Sequence, residues 1–249
     1  MYKLAIYGKG GIGKSTVCCN LAAEMAKRGL TVMQIGCDPK ADSTSLLTGG
    51  RRLPTVLHST REKGAALKLP DVVFRSESGV FCVEAGGPQP GVGCAGRGII
   101  NALETLERLG AFAEYQPDIV LYDVLGDVVC DGFSMPMRRA DAVCVVSSGE
   151  KMSVYAAANI CMAVQSFRSR GYAVLGGIIL NRRGVPDEDA AVSSLAADFD
   201  TQVLGAVDRS EEIALAERAN QPVVTFAPDC AASRQLAALA ERICTEAGL

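Results

Sequence analysis

Short apolar runs recur along the chain, too far apart to be joined as hairpins. They are Lys3 to Tyr7, Thr31 to Ile35, Val80 to Glu84, Ile119 to Tyr122, Ala142 to Ser147, Val174 to Leu180 and Val203 to Val207. Near-continuous apolar runs of this length are the pattern of strands buried on both faces. Segments of helical period separate them. One follows the first glycine-rich loop through Arg28 and is closed by Gly29, a second covers Ile99 to Leu109, and a third, Ser153 to Arg170, ends at Gly171. The last, Cys230 to Glu246, sets Leu236, Leu239, Ala240 and Ile243 on one face. Its basic residues are too few for a membrane surface, so that face is assigned to the core. Strands alternating with helices predict an α/β fold, a mostly parallel sheet with helices on both faces. Leu46 to Phe74, with Pro54 and Pro70, is less regular.

Composition narrows this little. At 249 residues, 49% hydrophobic and 21% charged, the chain suits a single α/β domain over residues 1–249, without repeats or linkers. A net charge of −3 gives no general reason to expect nucleic acid or an anionic membrane as partner. The first strand begins without a basic-then-apolar leader, and no apolar run nears the roughly 18 residues of a membrane span, so a cytoplasmic protein is expected. Ten cysteines are present, yet Cys-x-x-Cys occurs nowhere, which removes the simplest zinc and redox readings.

The chemistry starts after the first strand. Gly8, Lys9, Gly10, Gly11, Ile12, Gly13, Lys14, Ser15 and Thr16 form a P-loop in its expected strand–loop–helix setting. Its glycines let backbone N–H groups close on phosphates, Lys14 supplies positive charge, Ser15 can ligate Mg²⁺, and the helix N-terminus favours the anion. ATP and ADP are therefore the expected ligands. Lys9 is an early second lysine, the mark of a deviant Walker-A P-loop NTPase. Asp38 and Asp42, past the second strand, suit Mg²⁺ and water contacts; by local chemistry an Asp-Pro turn and a helix cap fit as well. Asn181, at another strand end, can read an adenine edge or serve as a turn asparagine. His58, the single histidine, is read as a surface or packing residue.

Two further segments stand out. Gly86 to Gly98 is rich in glycine and proline, and Cys94 lies at the start of the next helix, a position that favours thiolate. Tyr122 to Asp131 sets Asp123 in the place of a Walker-B acid, passes through Gly126 and Asp127, and reaches Cys130 seven residues after Asp123. Such a segment can respond to a γ-phosphate at one end. Were Cys130 to bind a metal cluster, it would be a short mechanical link between the two.

These motifs, with Gly36 to Thr44, Gly91 to Gly98, Tyr122 to Phe133, Ser148 to Met152 and Tyr155 to Ala157, resemble the nitrogenase iron protein family over nearly the whole chain. The resemblance implies a homodimer with one [4Fe–4S] cluster at the two-fold interface, held by Cys94 and Cys130 of each subunit. It implies that Lys14 and Ser15 hold phosphate and Mg²⁺, that Lys9 acts in trans on the other subunit's nucleotide, and that Asp38 and Asp42 form a first switch. Asp123 resembles the Walker-B acid and Asp127 the residue that positions water. Arg97 resembles the arginine beside the cluster that meets the partner and is ADP-ribosylated in some relatives.

The implied function is ATP-dependent delivery of single electrons to a separate iron–sulfur heterotetramer, with ferredoxin or flavodoxin as donor. Most relatives carry glycine where this chain has Asp131, and nitrogenase iron proteins usually have a longer C-terminal tail. Added negative charge near a cluster disfavours an electron's arrival. Both differences point to a nitrogenase-like reductase of an organic substrate, such as a methylthio-alkane reductase, with nitrogenase itself or a tetrapyrrole reductase as alternatives. A reading of another class is a division-site or plasmid-partition type of positioning ATPase, which needs no cluster.

Overall fold

The computed structural model describes residues 1–87, 95–124, 126, 131–168 and 170–249, without the side chains of 95 and 131–133. In chain order the elements are β1 (Tyr2–Tyr7), α1 (Lys14–Lys27), β2 (Val32–Cys37), α2 (Val56–Lys63), β3 (Phe74–Arg75), β4 (Phe81–Glu84), α3 (Ala95–Arg108) and α4 (Ala111–Tyr115). There follow β5 (Ile119–Val124), α5 (Asp131–Arg139), β6 (Ala142–Ser147), α6 (Lys151–Arg168), β7 (Val174–Asn181), α7 (Glu188–Asp198), β8 (Val203–Val207), α8 (Glu211–Arg218), α9 (Val223–Phe226) and α10 (Ala231–Ala247).

The strands form one sheet in the order β3-β4-β2-β5-β1-β6-β7-β8, parallel except for the short edge strand β3. Every residue of β2, β5 and β6 is buried, which is why their sequences read as continuous apolar runs. Alternate side chains feed two cores. Ala5, Tyr7, Val120 and Tyr122 pack on one face with residues of α3, α6 and α7, while Leu4, Ile6, Ile119 and Leu121 pack on the other with α1 and α10. The expected α/β architecture, a mostly parallel sheet with helices on both faces, is the one found. In register, Ile6 and Gly36 both lie opposite Asp123, so the ends of β1, β2 and β5 open at one level of the sheet.

Several details differ from the sequence pattern. The third helix begins at Ala95, four residues before the expected Ile99: Gly96 and Gly98 are poor helix formers, but both are buried in its first turn and packing overrides propensity. Residues 46–74 hold α2 and the first residue of β3, whose short lengths gave no periodic signal. His58 is an exposed surface residue on α2, 3.2 Å from Glu62. Among the described residues no helix is long and apolar enough to cross a membrane.

Leu236, Leu239, Ala240 and Ile243 are all buried, as their spacing predicts. Leu239 lies over Gly205 of β8, where a Cβ would come 3.4 Å from its Cδ1. Leu239→Ala should cost about 2–5 kcal/mol of stability, read by anaerobic chemical denaturation; a loss under about 1 kcal/mol would contradict this packing.

Candidate functional site

The P-loop turns back on itself through Gly8, Gly11 and Gly13, whose φ values of 149°, 75° and 99° disfavour a side chain. Gly8 and Gly13 are also close approaches. A Cβ would come 2.3 Å from the Val146 carbonyl oxygen at Gly8, and 2.5 Å from Asn181 Nδ2 at Gly13. The Ile12 N–H donates to the Lys9 carbonyl at 3.2 Å, and Lys14 Nζ donates to the same oxygen at 3.3 Å. Helix α1 starts at Lys14, so its first N–H groups open into a cavity of about 630 Å³. Gly10, Gly11, Gly13, Lys14, Ser15 and Thr16 line one side of it. Glycine backbone, a lysine, a hydroxyl and a helix N-terminus around one cavity fit a phosphate chain with its Mg²⁺.

Opposite stand Asp38 and Asp42. Asp38 Oδ1 accepts from the Lys40 N–H at 2.9 Å, and Ala41 takes a φ of 54°, which fixes the turn between the two acids. The far end of this loop is held much more firmly. Ser43 and Thr44 are buried at the strand ends, where each meets a buried carboxyl. The Ser43 hydroxyl donates to Asp123 Oδ2 at 2.6 Å, and the Thr44 N–H and hydroxyl both donate to Glu84 Oε1 at 2.7 Å. Gln34 Nε2 and Cys19 Sγ donate to the Ser43 carbonyl, each at 3.0 Å.

The two carboxyls are therefore far from ordinary. Burial pushes Asp123 up, opposed by hydrogen bonds from the Ser15 and Ser43 hydroxyls and by the charge of Lys14. Burial likewise pushes Glu84 up to about 7, opposed by its two bonds from Thr44 and aided by the charges of Asp123 and Asp42. Glu84 Oε2 has no hydrogen-bond partner among the described residues. It lies against Gly36, where a Cβ would come within 2.2 Å of it.

Beyond β5, Gly126 packs on the P-loop itself. A Cβ there would lie 2.5 Å from Gly10 N and 2.9 Å from the Gly8 carbonyl oxygen, so Gly126 rests on the loop's backbone. Its glycine answers to this close approach. Asn181 lines the cavity and donates to the Ile12 carbonyl at 2.7 Å, bracing the P-loop from β7. Lys9 is exposed and is not among the residues lining its own chain's cavity, and Arg97 is exposed in the first turn of α3. Asp127, Cys94 and Cys130 lie outside the described residues.

Sequence reasoning missed a second wall of the cavity, Arg182, Arg183, Asp208, Arg209 and Glu217. Arg182 pairs with Asp208 at 2.6 Å and with Asp189 at 2.5 Å, and these carboxylates hold its guanidinium pKa up. The Thr16 hydroxyl donates to Glu217 Oε1 at 2.7 Å. The one available signal was position, since Asp208 follows the end of β8. As for metal, the described residues contain no group of three or more His, Cys, Asp or Glu able to hold an ion. All described cysteines but Cys230 are buried, and burial pushes the thiols of Cys18, Cys19, Cys37, Cys82, Cys144, Cys161 and Cys244 up, away from the thiolate a cluster needs.

Comparison with known proteins agrees with this layout. A family model described as 4Fe-4S iron sulfur cluster binding proteins, NifH/frxC family, matches residues 2–248. The chain is 53% identical to a nitrogenase iron protein of Methanospirillum hungatei JF-1 and 46% identical to one of Methanococcus voltae, each match covering 98% of this chain and 88% of the relative. Among solved structures, the septum site-determining protein MinD of Pyrococcus horikoshii OT3, complexed with Mg-ADP, is similar with a TM-score of 0.77. The likeness covers 99% of this chain and 97% of that one. At 21% identity it is a likeness of fold alone.

Glu84 gives the site a pH signature. Its ionisable neighbours, Asp123, Asp42 and the thiols of Cys18, Cys19, Cys37 and Cys82, are anionic when charged, so none draws its pKa down. A carboxyl raised in the folded state contributes stability that is full below its ordinary pKa and lost as pH rises through the raised one. Between about pH 4.5 and 7 the parent should lose roughly 3 kcal/mol relative to Glu84→Gln, measured by denaturation at a series of pH values. Parallel stability curves would contradict the burial of an ionisable Glu84.

Proposed function

The chain belongs to the NifH/frxC family of 4Fe-4S iron sulfur cluster binding proteins, and we propose that it is the ATP-hydrolysing, electron-donating component of a nitrogenase or nitrogenase-like enzyme. The cluster, bound by Cys94 and Cys130 of two subunits, supplies a one-electron carrier. The observation that carries the reading is the contact of Gly126, three residues after Asp123, with the P-loop. This buried acid faces the P-loop, Gly126 rests on the P-loop backbone, and Cys130 follows four residues later. Nucleotide and cluster are thereby tied to one short segment.

The residues divide the work. Gly8, Gly10, Gly11, Ile12, Gly13 and Thr16 shape the loop whose N–H groups receive phosphate oxygens, Lys14 balances their charge, and Asn181 lies toward the base. Ser15, already bonded to Asp123, is placed to hold Mg²⁺. Asp38 and Asp42 sense the γ-phosphate from the opposite wall, and Asp127 orients the attacking water. Lys9, exposed and not lining its own chain's cavity, reaches the nucleotide of the second subunit in a homodimer, and Arg97 offers a positive contact at the docking face. ATP shifts the population of the docking-competent dimer because these groups contact it differently before and after hydrolysis. The protein works in the cytoplasm, with ferredoxin or flavodoxin as electron source and without nucleic acid or membrane.

For the catalytic partner, an iron–sulfur heterotetramer, two readings have support. The names of the 53% and 46% identical relatives support nitrogenase itself. The extra carboxylate Asp131, next to Cys130 in sequence, supports a reductase of an organic substrate of the methylthio-alkane type, because added negative charge alters both the cluster's acceptance of electrons and docking. Co-purification of the partner followed by substrate trials separates them: acetylene and dinitrogen reduction would remove the organic reading.

Lys14→Ala should retain the protein's iron yet lower MgATP-dependent electron delivery to that partner by about 100-fold or more. Delivery at the parental rate would sink the coupling. Intact function after Cys94→Ser and Cys130→Ser would instead support a positioning ATPase of the same fold.

A further inference from the structure

Glu84 is buried, has one carboxyl oxygen without a partner among the described residues, and sits at the end of the strand that leads toward Cys94. Its strand, β4, and the strand of Asp123, β5, are the two neighbours of β2 in the sheet. The loop leaving β2 is thus fastened on both sides of its own strand, Ser43 to β5 and Thr44 to β4. Only the β5 side enters the function proposed above.

The β4 side continues past Glu84. The Ala85 N–H donates to the Gly36 carbonyl at 2.9 Å, extending the ladder to β2 by one bond. Gly87 lies on Pro39, with a Cβ position only 2.6 Å from Pro39 Cβ. Behind, Gly86 takes a φ of 80° and leaves no room for a side chain against Thr55, the N-cap of α2, while the Leu57 N–H donates to the Ala85 carbonyl at 3.2 Å. Residues 84–87 are therefore held between the Asp38-to-Thr44 loop and the start of α2. A shift of that loop is passed to them by contact at both ends, Thr44 on Glu84 and Pro39 on Gly87.

We propose that Glu84 is a positioning residue that couples the Asp38-to-Thr44 loop to the chain entering Cys94, a second mechanical path beside the one through Gly126 to Cys130. It rests on the reading of the protein as an ATP-dependent iron–sulfur reductase. Glu84 does not line the nucleotide cavity; its two hydrogen bonds from Thr44 fasten residues 84–87 to the loop. The two paths start at adjacent residues, Ser43 and Thr44, and lead along the sequence toward the two cysteines.

The test uses the intact, reduced, iron-loaded protein under anaerobic conditions. A ferrous chelator is added with and without MgATP, and the ratio of the two iron-capture rates is the response. For Glu84→Ala the response should fall about tenfold, while iron content and MgATP affinity stay within about threefold of the parent. Glu84→Gln keeps an oxygen acceptor for both Thr44 donors and should restore the response to within about threefold. Thr44→Val, which removes one donor without opening a cavity, should give a smaller fall and decides the matter should Glu84→Ala not fold. A full response in Glu84→Ala or, failing that variant, in Thr44→Val overturns the proposal, as does a fall in Glu84→Gln equal to that in Glu84→Ala. A parent protein with no response at all overturns the underlying reading instead.

Discussion

The structure depends on burying carboxyl groups at the ends of strands. A carboxyl removed from water must be given donors or held neutral; one loop supplies a donor to Asp123, which has another from Ser15, and both donors to Glu84. Because Ser43 and Thr44 supply those donors, the loop that carries Asp38 and Asp42 is anchored at its far end while the acids remain at the cavity wall. A loop fastened to two strands at one end and facing the cavity at the other is suited to pass a change at the γ-phosphate to both. The cost is a pair of carboxyls that burial drives toward the neutral form.

Close backbone approach is the second constraint. Gly8, Gly13 and Gly126 are pressed against a carbonyl, an asparagine amide and the P-loop backbone respectively. Packing of this kind leaves no slack between the phosphate-binding loop and Gly126. Displacement of one must displace the other, since close-packed parts of a protein have few intermediate arrangements. The same holds where Gly87 meets Pro39.

How much of this could be read beforehand varies with the range of the interaction. The P-loop is legible because its chemistry is local: glycines, lysine and hydroxyl act within one turn, and the strand and helix around them have their own periodic signals. The parallel sheet is legible because β2, β5 and β6 are buried throughout and so read as apolar runs. The bond from Thr44 to Glu84 spans 40 positions and exists only because β4 lies beside β2, an order no local pattern states. Gly36 is opaque for the same reason, since the oxygen that excludes its side chain belongs to Glu84. Arg182, Asp208 and Glu217 reach the cavity through folding of the C-terminal half. Asn181 was legible by its strand-end position, whereas its bond to the Ile12 carbonyl was not. Cys94, Asp127 and Cys130 stand on sequence and family membership.

The central claim is that nucleotide and cluster act on one another within this chain. It is tested most directly by iron analysis and electron paramagnetic resonance of the protein purified without oxygen and reduced, compared with and without MgATP. The account predicts about four irons per dimer, from shared four-cysteine ligation, and a reduced-cluster signal whose shape changes with MgATP. An iron-free, colourless protein that still hydrolyses ATP, and stays so after anaerobic reconstitution, would contradict it.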